Sequence, residues 1–310
     1  MISIFLGCSP SHHQTDKIAI SPEGTFPGAD SLKIYYQIKG SGPDTLIVIH
    51  GGPGMDSEYM VADFTPLSEN HTLLFYDQRG GGRSDLPEDT TLLHIDHHVA
   101  DLEALRNYFG LDQMTLVAHS FGPMLAAKYA LRYPGNVSRM IFLGPIPPMK
   151  EDFYAQYGNN LGSRLSEDEI NSMIKHNQNL LGGVDVKSSC TSFWNIALKP
   201  RLAEGIDVSV VKGDCCAASP EAIRYGMQKT NPTTSGSLGD WDLRPQLAEL
   251  NIKTLIIHGE EEAIPMAMVE HWASAMPNAE LIKVAGAGHF TYVEQPDVVW
   301  PAIESFLNDR

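Results

Sequence analysis

Short continuous apolar runs rich in β-branched residues recur along the chain at residues 45–49, 73–76, 115–118, 140–143, 254–257 and 281–284. Each is too short for a buried helix and lacks the alternation of a strand with one wet face. Such runs are strands covered on both sides, as in a parallel sheet sandwiched by helices. Helical spacing fills several of the intervals, at 100–108, 124–132, 266–276 and 298–307. Strand alternating with helix is the α/β pattern. An alternating run at 32–38 and a Gly40-Ser41-Gly42-Pro43 turn precede the first buried strand. The predicted architecture is a mostly parallel central sheet flanked by helices.

The alternation lapses between about residues 145 and 250, where the pattern is helical and acidic. Ser166 and Glu169 there have the spacing of a capping box for a helix running to about 180. We expect a core formed by residues 25–145 and 246–310, with an inserted helical lid at 146–245. The plainer reading is ordinary peripheral helices, which differ from a lid only in not covering a site. Residues 1–24 read as a tether or signal remnant, with regular structure starting near Leu32.

The most informative local segment is Thr115-Leu-Val-Ala-His-Ser-Phe-Gly-Pro-Met-Leu125. Its strand breaks at His119-Ser120-Phe121-Gly122 and resumes as a helix, so Ser120 sits in a tight strand-to-helix turn. That turn throws the hydroxyl clear of the chain and aims the first free N–H groups of the helix at whatever it attacks. The G-x-S-x-G pattern is met except that Ala118 replaces the first glycine. A serine that merely caps a helix is the reading for an isolated Ser-Phe-Gly. The rest of the chain decides against it.

His50-Gly51-Gly52-Pro53-Gly54 follows the first buried strand directly. Glycines let backbone approach a ligand, so the N–H of Gly52 can face a developing oxyanion together with that of Phe121. The strand at 254–257 runs into His258-Gly259-Glu260-Glu261-Glu262, and the strand at 281–284 into Ala285-Gly286-Ala287-Gly288-His289. Glu262 has the best spacing to orient an imidazole, with Glu260 and Glu261 as alternatives. The chain order Ser120, Glu262, His289 is that of a serine hydrolase triad.

The formal net charge is −16 at pH 7, without any lysine or arginine cluster. That argues against nucleic acid, which needs a basic surface, and would favour a small cationic substrate. No stretch approaches the roughly 20 apolar residues of a membrane-spanning helix. The opening Met-Ile-Ser-Ile-Phe-Leu-Gly-Cys8 resembles the end of a bacterial lipoprotein signal but lacks a basic start. Two expectations stand: a lipid anchor at Cys8 on an exported, periplasm-facing protein, or an incidental cysteine in a cytoplasmic one. Cys190 could pair with Cys215 or Cys216 in an oxidising compartment. His94-Ile95-Asp96-His97-His98 reads as capping and surface at a helix start, and neither a metal nor another cofactor is expected. His119 is expected to pack or hydrogen-bond behind the elbow. Tyr59, Met60, Phe121, Trp194 and Trp241 are candidates to line a substrate pocket. Nothing in the sequence sets an oligomeric state.

From about residue 30 to 310 the chain resembles an α/β-hydrolase. His50-Gly51-Gly52-Pro53-Gly54 with Asp77-Gln78-Arg79-Gly80-Gly81-Gly82-Arg83-Ser84 is similar to the proline iminopeptidase branch. The resemblance implies Ser120 as nucleophile, His289 as general base and Glu262 as acid, with the arginine-containing loop as support near the oxyanion side. The chain departs from that branch at Ala118 and at Glu262, where aspartate is usual. It also departs in the lid, where the branch carries Trp-x-x-Trp-Glu to hold a substrate ammonium. The nearest segment here is Ser192-Phe-Trp-Asn-Ile-Ala-Leu198, without an acid. The expected function is therefore hydrolysis of a carboxylic ester or lactone, with an amine-bearing substrate such as a macrolide favoured by the acidic chain. The alternatives are an iminopeptidase-like exopeptidase and a non-catalytic lipid-anchored binding protein of the same fold.

Overall fold

The computed structural model describes residues 21–309; Cys8 and its expected anchor lie outside them. Eight strands form one sheet: β1 (Glu23–Pro27), β2 (Lys33–Lys39), β3 (Thr45–Ile49), β4 (Thr72–Tyr76), β5 (Met114–His119), β6 (Val137–Leu143), β7 (Lys253–Gly259) and β8 (Ala279–Val284). Their spatial order is β1-β2-β4-β3-β5-β6-β7-β8. β1 and β2 pair antiparallel, as do β2 and β4, and all later pairs are parallel. Every buried run expected from the sequence is a strand of this sheet.

Alternation along the central strands separates two apolar layers. Ile47, Ile49, Leu116 and Ala118 face the layer holding the Ile95–Tyr108, Gly122–Arg132 and Met266–Ala275 helices. Leu46, Val48, Val117 and Ile257 face the layer of Phe64, Leu67 and the Pro296–Asn308 helix. Both faces of the central strands β3 to β7 are dry, which explains why they read as continuous apolar runs.

One expectation needs correction. Regular structure begins not near Leu32 but at Glu23, so β1 overlaps the segment assigned to a tether. Only Phe26 of β1 is buried, against Tyr36 and Phe109. An edge strand anchored by one side chain and flanked by Gly24 and Pro27 carries too little alternation to be recognised.

Strand order reverses around β3, whose neighbours β4 and β5 lead away in opposite directions. The carboxyl ends of β3 and β5 therefore meet at a crevice, the usual ligand position in an open parallel sheet. Between β6 and β7 the chain leaves the sheet and forms helices at Phe153–Ser163, Glu167–Gly182, Val186–Ala197, Pro220–Tyr225 and Asn231–Gly236. The capping box at Ser166 and Glu169 is formed, and its helix ends at Gly182. A disulfide between Cys190 and Cys216 ties the Val186–Ala197 helix to the following loop and leaves Cys215 free. The pairing that the sequence left open is thus with Cys216.

Candidate active site

Ser120 lies one residue beyond β5 with φ of 62°. A non-glycine residue in that left-handed region costs roughly 1–2 kcal/mol, so the neighbours must hold it there. Its N–H donates to the Leu143 carbonyl at 2.9 Å, and its carbonyl accepts from the Ile146 N–H at 3.0 Å. Behind it, a Cβ on Gly122 would sit 2.6 Å from the Ile49 carbonyl oxygen, so only glycine lets the helix start this close to β3. Ala118 is buried without exposure, which shows that the missing glycine of the elbow pattern is replaced by a residue the layer accommodates.

The imidazole of His289 comes from the loop after β8. Its Nδ1 lies 2.6 Å from Glu262 Oε2, while Glu262 Oε1 accepts the Ile264 N–H at 3.1 Å. Glu260 is exposed, and Glu261 Oε2 accepts the Glu204 N–H at 2.9 Å. Of the three consecutive glutamates, Glu262 is thus the one against the histidine. Burial pushes its carboxyl up, but the His289 and His258 imidazoles and the Ile264 N–H outweigh this and hold it below the ordinary glutamate value. An ionised carboxylate only accepts, so the His289 Nδ1 carries a proton and donates it to Glu262.

A residue the sequence reading missed fixes this loop. Glu294 is buried, and its carboxylate accepts N–H groups from Ala203 at 2.7 Å, Gly288 at 2.9 Å and Phe290 at 3.0 Å. Two of those three flank His289. A carboxylate within the apolar run Phe-Thr-Tyr-Val-Glu294 was the available signal, since an acid is seldom buried unpaired.

The glycine loop after β3 stands opposite. His50 Nε2 accepts the Gln78 N–H at 3.0 Å, its Nδ1 contacts the Gly51 carbonyl at 2.9 Å, and its carbonyl accepts from Gln78 Nε2 at 2.8 Å. The Asp77–Ser84 loop is itself anchored by the buried Arg79, whose Nε and Nη2 reach Asp101 at 2.6 and 2.7 Å. This matches the supporting place that the resemblance implied for the loop. Gly51 N–H donates to the Tyr59 hydroxyl at 2.6 Å, which lies 2.8 Å from His119 Nδ1; His119 Nε2 in turn reaches the His289 carbonyl at 3.1 Å. Burial and the neighbouring His289 push His119 well below its ordinary value, so it is neutral. The only consistent assignment has Tyr59 donating to Nδ1 and Nε2–H donating to His289 O. His119 therefore bridges behind the elbow, as expected. Among the described residues the N–H groups of Gly52 and Phe121 find no protein acceptor.

Gly52, Phe121, Ser120 and His289 open on one cavity of about 390 Å³. Ser120 Oγ makes no hydrogen bond among the described residues; a nucleophile–base contact is often long in the free enzyme and tightens around substrate. The other lining residues include Tyr59, Asp56, Tyr154, Tyr157, Phe193, Trp194, Arg201 and Met227. Two expected pocket residues are elsewhere. Met60 has no exposure and packs in the core with Phe64 and Leu67. Trp241 is buried with its indole N–H on the Pro147 carbonyl at 3.2 Å, and it borders a separate surface hollow. A large apolar residue near a site in sequence fills core more often than pocket. Sequence reasoning passed over Asp56, Tyr157 and Arg201, whose residue types alone carry no signal in a helical insertion or a loop.

The histidine cluster is dispersed: His94 caps its helix, His97 contacts Asp30 at 2.7 Å and buried His98 contacts Thr234 at 3.2 Å. No group of ligands suited to a metal occurs among the described residues.

This arrangement of sheet, elbow and cavity is that of a hydrolase. A family model described as alpha/beta hydrolase fold matches residues 44–196. Over 268 residues the chain is 27% identical to a proline iminopeptidase from Heyndrickxia coagulans, covering 86% of this chain and 91% of that one. Among solved structures it is similar to a proline iminopeptidase from Mycobacterium smegmatis, with a TM-score of 0.65 and 20% identity over 92% of this chain and 97% of that one. A thermophilic esterase from Thermogutta terrifontis gives a TM-score of 0.67 and 19% identity over 93% of this chain and 98% of that one. The chain has the α/β-hydrolase fold and resembles the proline iminopeptidase branch.

Proposed function

We propose that the chain is a serine hydrolase that cleaves a small carboxylic ester or lactone through an acyl-enzyme on Ser120. His289 Nε2 takes the hydroxyl proton as Oγ attacks the carbonyl carbon, and Glu262 stabilises the imidazolium that forms. The N–H groups of Gly52 and Phe121 receive the oxyanion. His289 then returns the proton to the leaving oxygen, and water attacks the acyl-enzyme with the same base. Residues 146–245 act as a lid, since Tyr154, Tyr157, Phe193, Trp194 and Met227 line the cavity from that segment.

The observation that carries an ester over a peptide is the lining of the cavity. An exopeptidase needs an ionised acid for the substrate's terminal ammonium. Among the described residues the one carboxyl on this wall, Asp56, is 4% exposed, and its two oxygens accept the N–H groups of Glu58 at 3.0 Å and Ala218 at 3.1 Å. Burial pushes it up to about 7, with Asp77 adding to the shift. At neutral pH it is only about half ionised and both its oxygens already accept N–H groups, so it is a weaker partner for an amine than a free carboxylate, which also counts against an amine-bearing ester. The second reading is an exopeptidase, favoured by the iminopeptidases among the sequence relatives. Turnover of p-nitrophenyl acetate against prolyl p-nitroanilide, with Ser120→Ala as control, separates the two. We expect the ester to be cleaved at least a hundredfold faster in kcat/KM, and turnover of the anilide alone would overturn this reading.

A further inference from the structure

Among the described residues the wall of the cavity carries one permanently charged cation, Arg201. Its backbone is fixed beside the imidazole loop, because its carbonyl accepts the His289 N–H at 2.7 Å. Its guanidinium carbon lies 5.8 Å from the Tyr157 ring centre and 5.9 Å from that of Trp194, and both rings line the same cavity. One Nη1 hydrogen is used by the Ala197 carbonyl at the end of the Val186–Ala197 helix. Arginine has five N–H donors in a planar fork, and no carboxylate among the described residues pairs with this one. The residue is partly exposed and lines the cavity, and among the described residues its guanidinium meets no acceptor other than the Ala197 carbonyl and the neighbouring Tyr157.

The guanidinium lies near two aromatic rings of the cavity wall and has no carboxylate partner among the described residues, so its charge is left uncompensated where substrate would rest. Aromatic neighbours at this range favour a cation, and the guanidinium fork fits two parallel bonds to a carboxylate. The competing charge does not cancel it. Asp56 stands on the oxyanion loop with both oxygens turned to backbone N–H groups, and no salt bridge joins it to Arg201. The chain is acidic overall, yet the place where substrate rests is not.

We infer that Arg201 binds an anionic group, of the carboxylate class, carried by the substrate that Ser120 attacks. This deepens the hydrolase reading and rests on it. The test uses two matched ester pairs: mono-4-nitrophenyl glutarate with its methyl ester, and 4-acetoxybenzoate with its methyl ester. They place the carboxylate on the acyl side and on the leaving-group side respectively. In the wild type we expect the carboxylate member of at least one pair to exceed its neutral partner tenfold or more in kcat/KM. Arg201→Gln should bring that ratio to about one or below, and Arg201→Lys should keep an intermediate value. A wild-type ratio at or below one in both pairs overturns the inference, as does a ratio that survives Arg201→Gln. Should Arg201→Gln fail to fold, the wild-type ratios and Arg201→Lys decide, because a ratio unchanged by the lysine is also against a bidentate site. Labelling by a fluorophosphonate keeps the two readings apart. Wild type labelled at Ser120 with flat ratios sinks the anion site alone, whereas no labelling sinks the hydrolase.

Discussion

Glu262→Gln is the substitution that most directly tests how the site is wired. The carboxylate serves two donors at once, His289 Nδ1–H at 2.6 Å through Oε2 and the Ile264 N–H at 3.1 Å through Oε1. An amide has one oxygen for both. If that oxygen stays with Ile264, the NH₂ meets His289 Nδ1, which can accept only as the tautomer with its proton on Nε2. That tautomer cannot take the proton of Ser120. If the oxygen stays with His289, the NH₂ faces the Ile264 N–H in a buried setting, at about 1–3 kcal/mol for the unmet donor. Either way the imidazolium loses its anionic partner, worth roughly 1.5–3 kcal/mol for a bond to a charged group. Together these give about 2.5 to 6 kcal/mol on the barrier, or roughly 10²–10⁴ in kcat. The assay is steady-state hydrolysis of p-nitrophenyl acetate, with Ser120→Ala as the floor and a thermal melt to confirm folding. Glu261→Gln, whose carboxylate holds only the Glu204 N–H, should stay within a few fold of wild type. Activity of Glu262→Gln within threefold of wild type, or a large loss confined to Glu261→Gln, would refute the assignment.

Tyr59→Phe removes the hydroxyl between Gly51 and His119, leaving a buried N–H and a buried imidazole nitrogen unpartnered. At about 1–3 kcal/mol for a buried orphan, we expect a clear drop in melting temperature together with a roughly tenfold fall in kcat; an unchanged kcat would mean the bridge does not position the oxyanion loop. The Cys190–Cys216 bridge closes a sequence separation of 26 residues, for which chain entropy predicts about 3.5 kcal/mol. Denaturant unfolding of Cys190→Ser should show a loss of that order, and a wild-type curve insensitive to reductant would argue against the bridge. The Glu103 carboxyl is pulled from 4.5 down to about 2, first by its bond to Arg106 and then by Tyr129 and Asn136. Because its folded value is the lower one, its stabilisation is complete above about pH 4.5 and lost as pH falls toward 2. The difference in melting temperature between wild type and Glu103→Gln should therefore be largest at pH 6 and shrink below pH 4.5; a gap independent of pH would contradict the ion pair.

The chain announces its sheet because both faces of it are buried, which turns β3 to β7 into apolar runs with little ambiguity. The elbow and the glycine loop are equally legible, since each needs backbone conformations that few residues tolerate: Ser120 and Gly52 both have positive φ. Glu262 was narrowed by spacing but singled out only by packing, because three glutamates in a row share one residue type and differ only in which turns inward. β1 escaped notice because a single buried Phe26 makes no period. Glu294 escaped because its role is defined by three backbone N–H groups that converge from residues 203, 288 and 290. The pocket was read least well. Met60 and Trp241 are large and apolar, and those qualities suit a core as well as a cavity.

The charge of the chain illustrates the same difference of scale. A net −16 is a sum over the surface, and it governs the field met by a molecule still in solution, within a screening length of about 8 Å at physiological salt. The cavity is governed instead by the few groups that solvent does not screen. There Asp56 is committed to Glu58 and Ala218, His119 is neutral, and Arg201 pairs with no carboxylate among the described residues. A substrate preference deduced from the total charge thus points to a cation, and one deduced from the lining points to an anion. The lining must prevail for kcat/KM, because contacts at short range in a partly dry site are several times stronger than the same charges across water. The overall acidity would then act only on arrival, slowing an anionic substrate's association in low salt. Raising ionic strength should accordingly increase kcat/KM for the carboxylate esters more than for their methyl esters; an opposite salt effect would place the deciding charge outside the cavity.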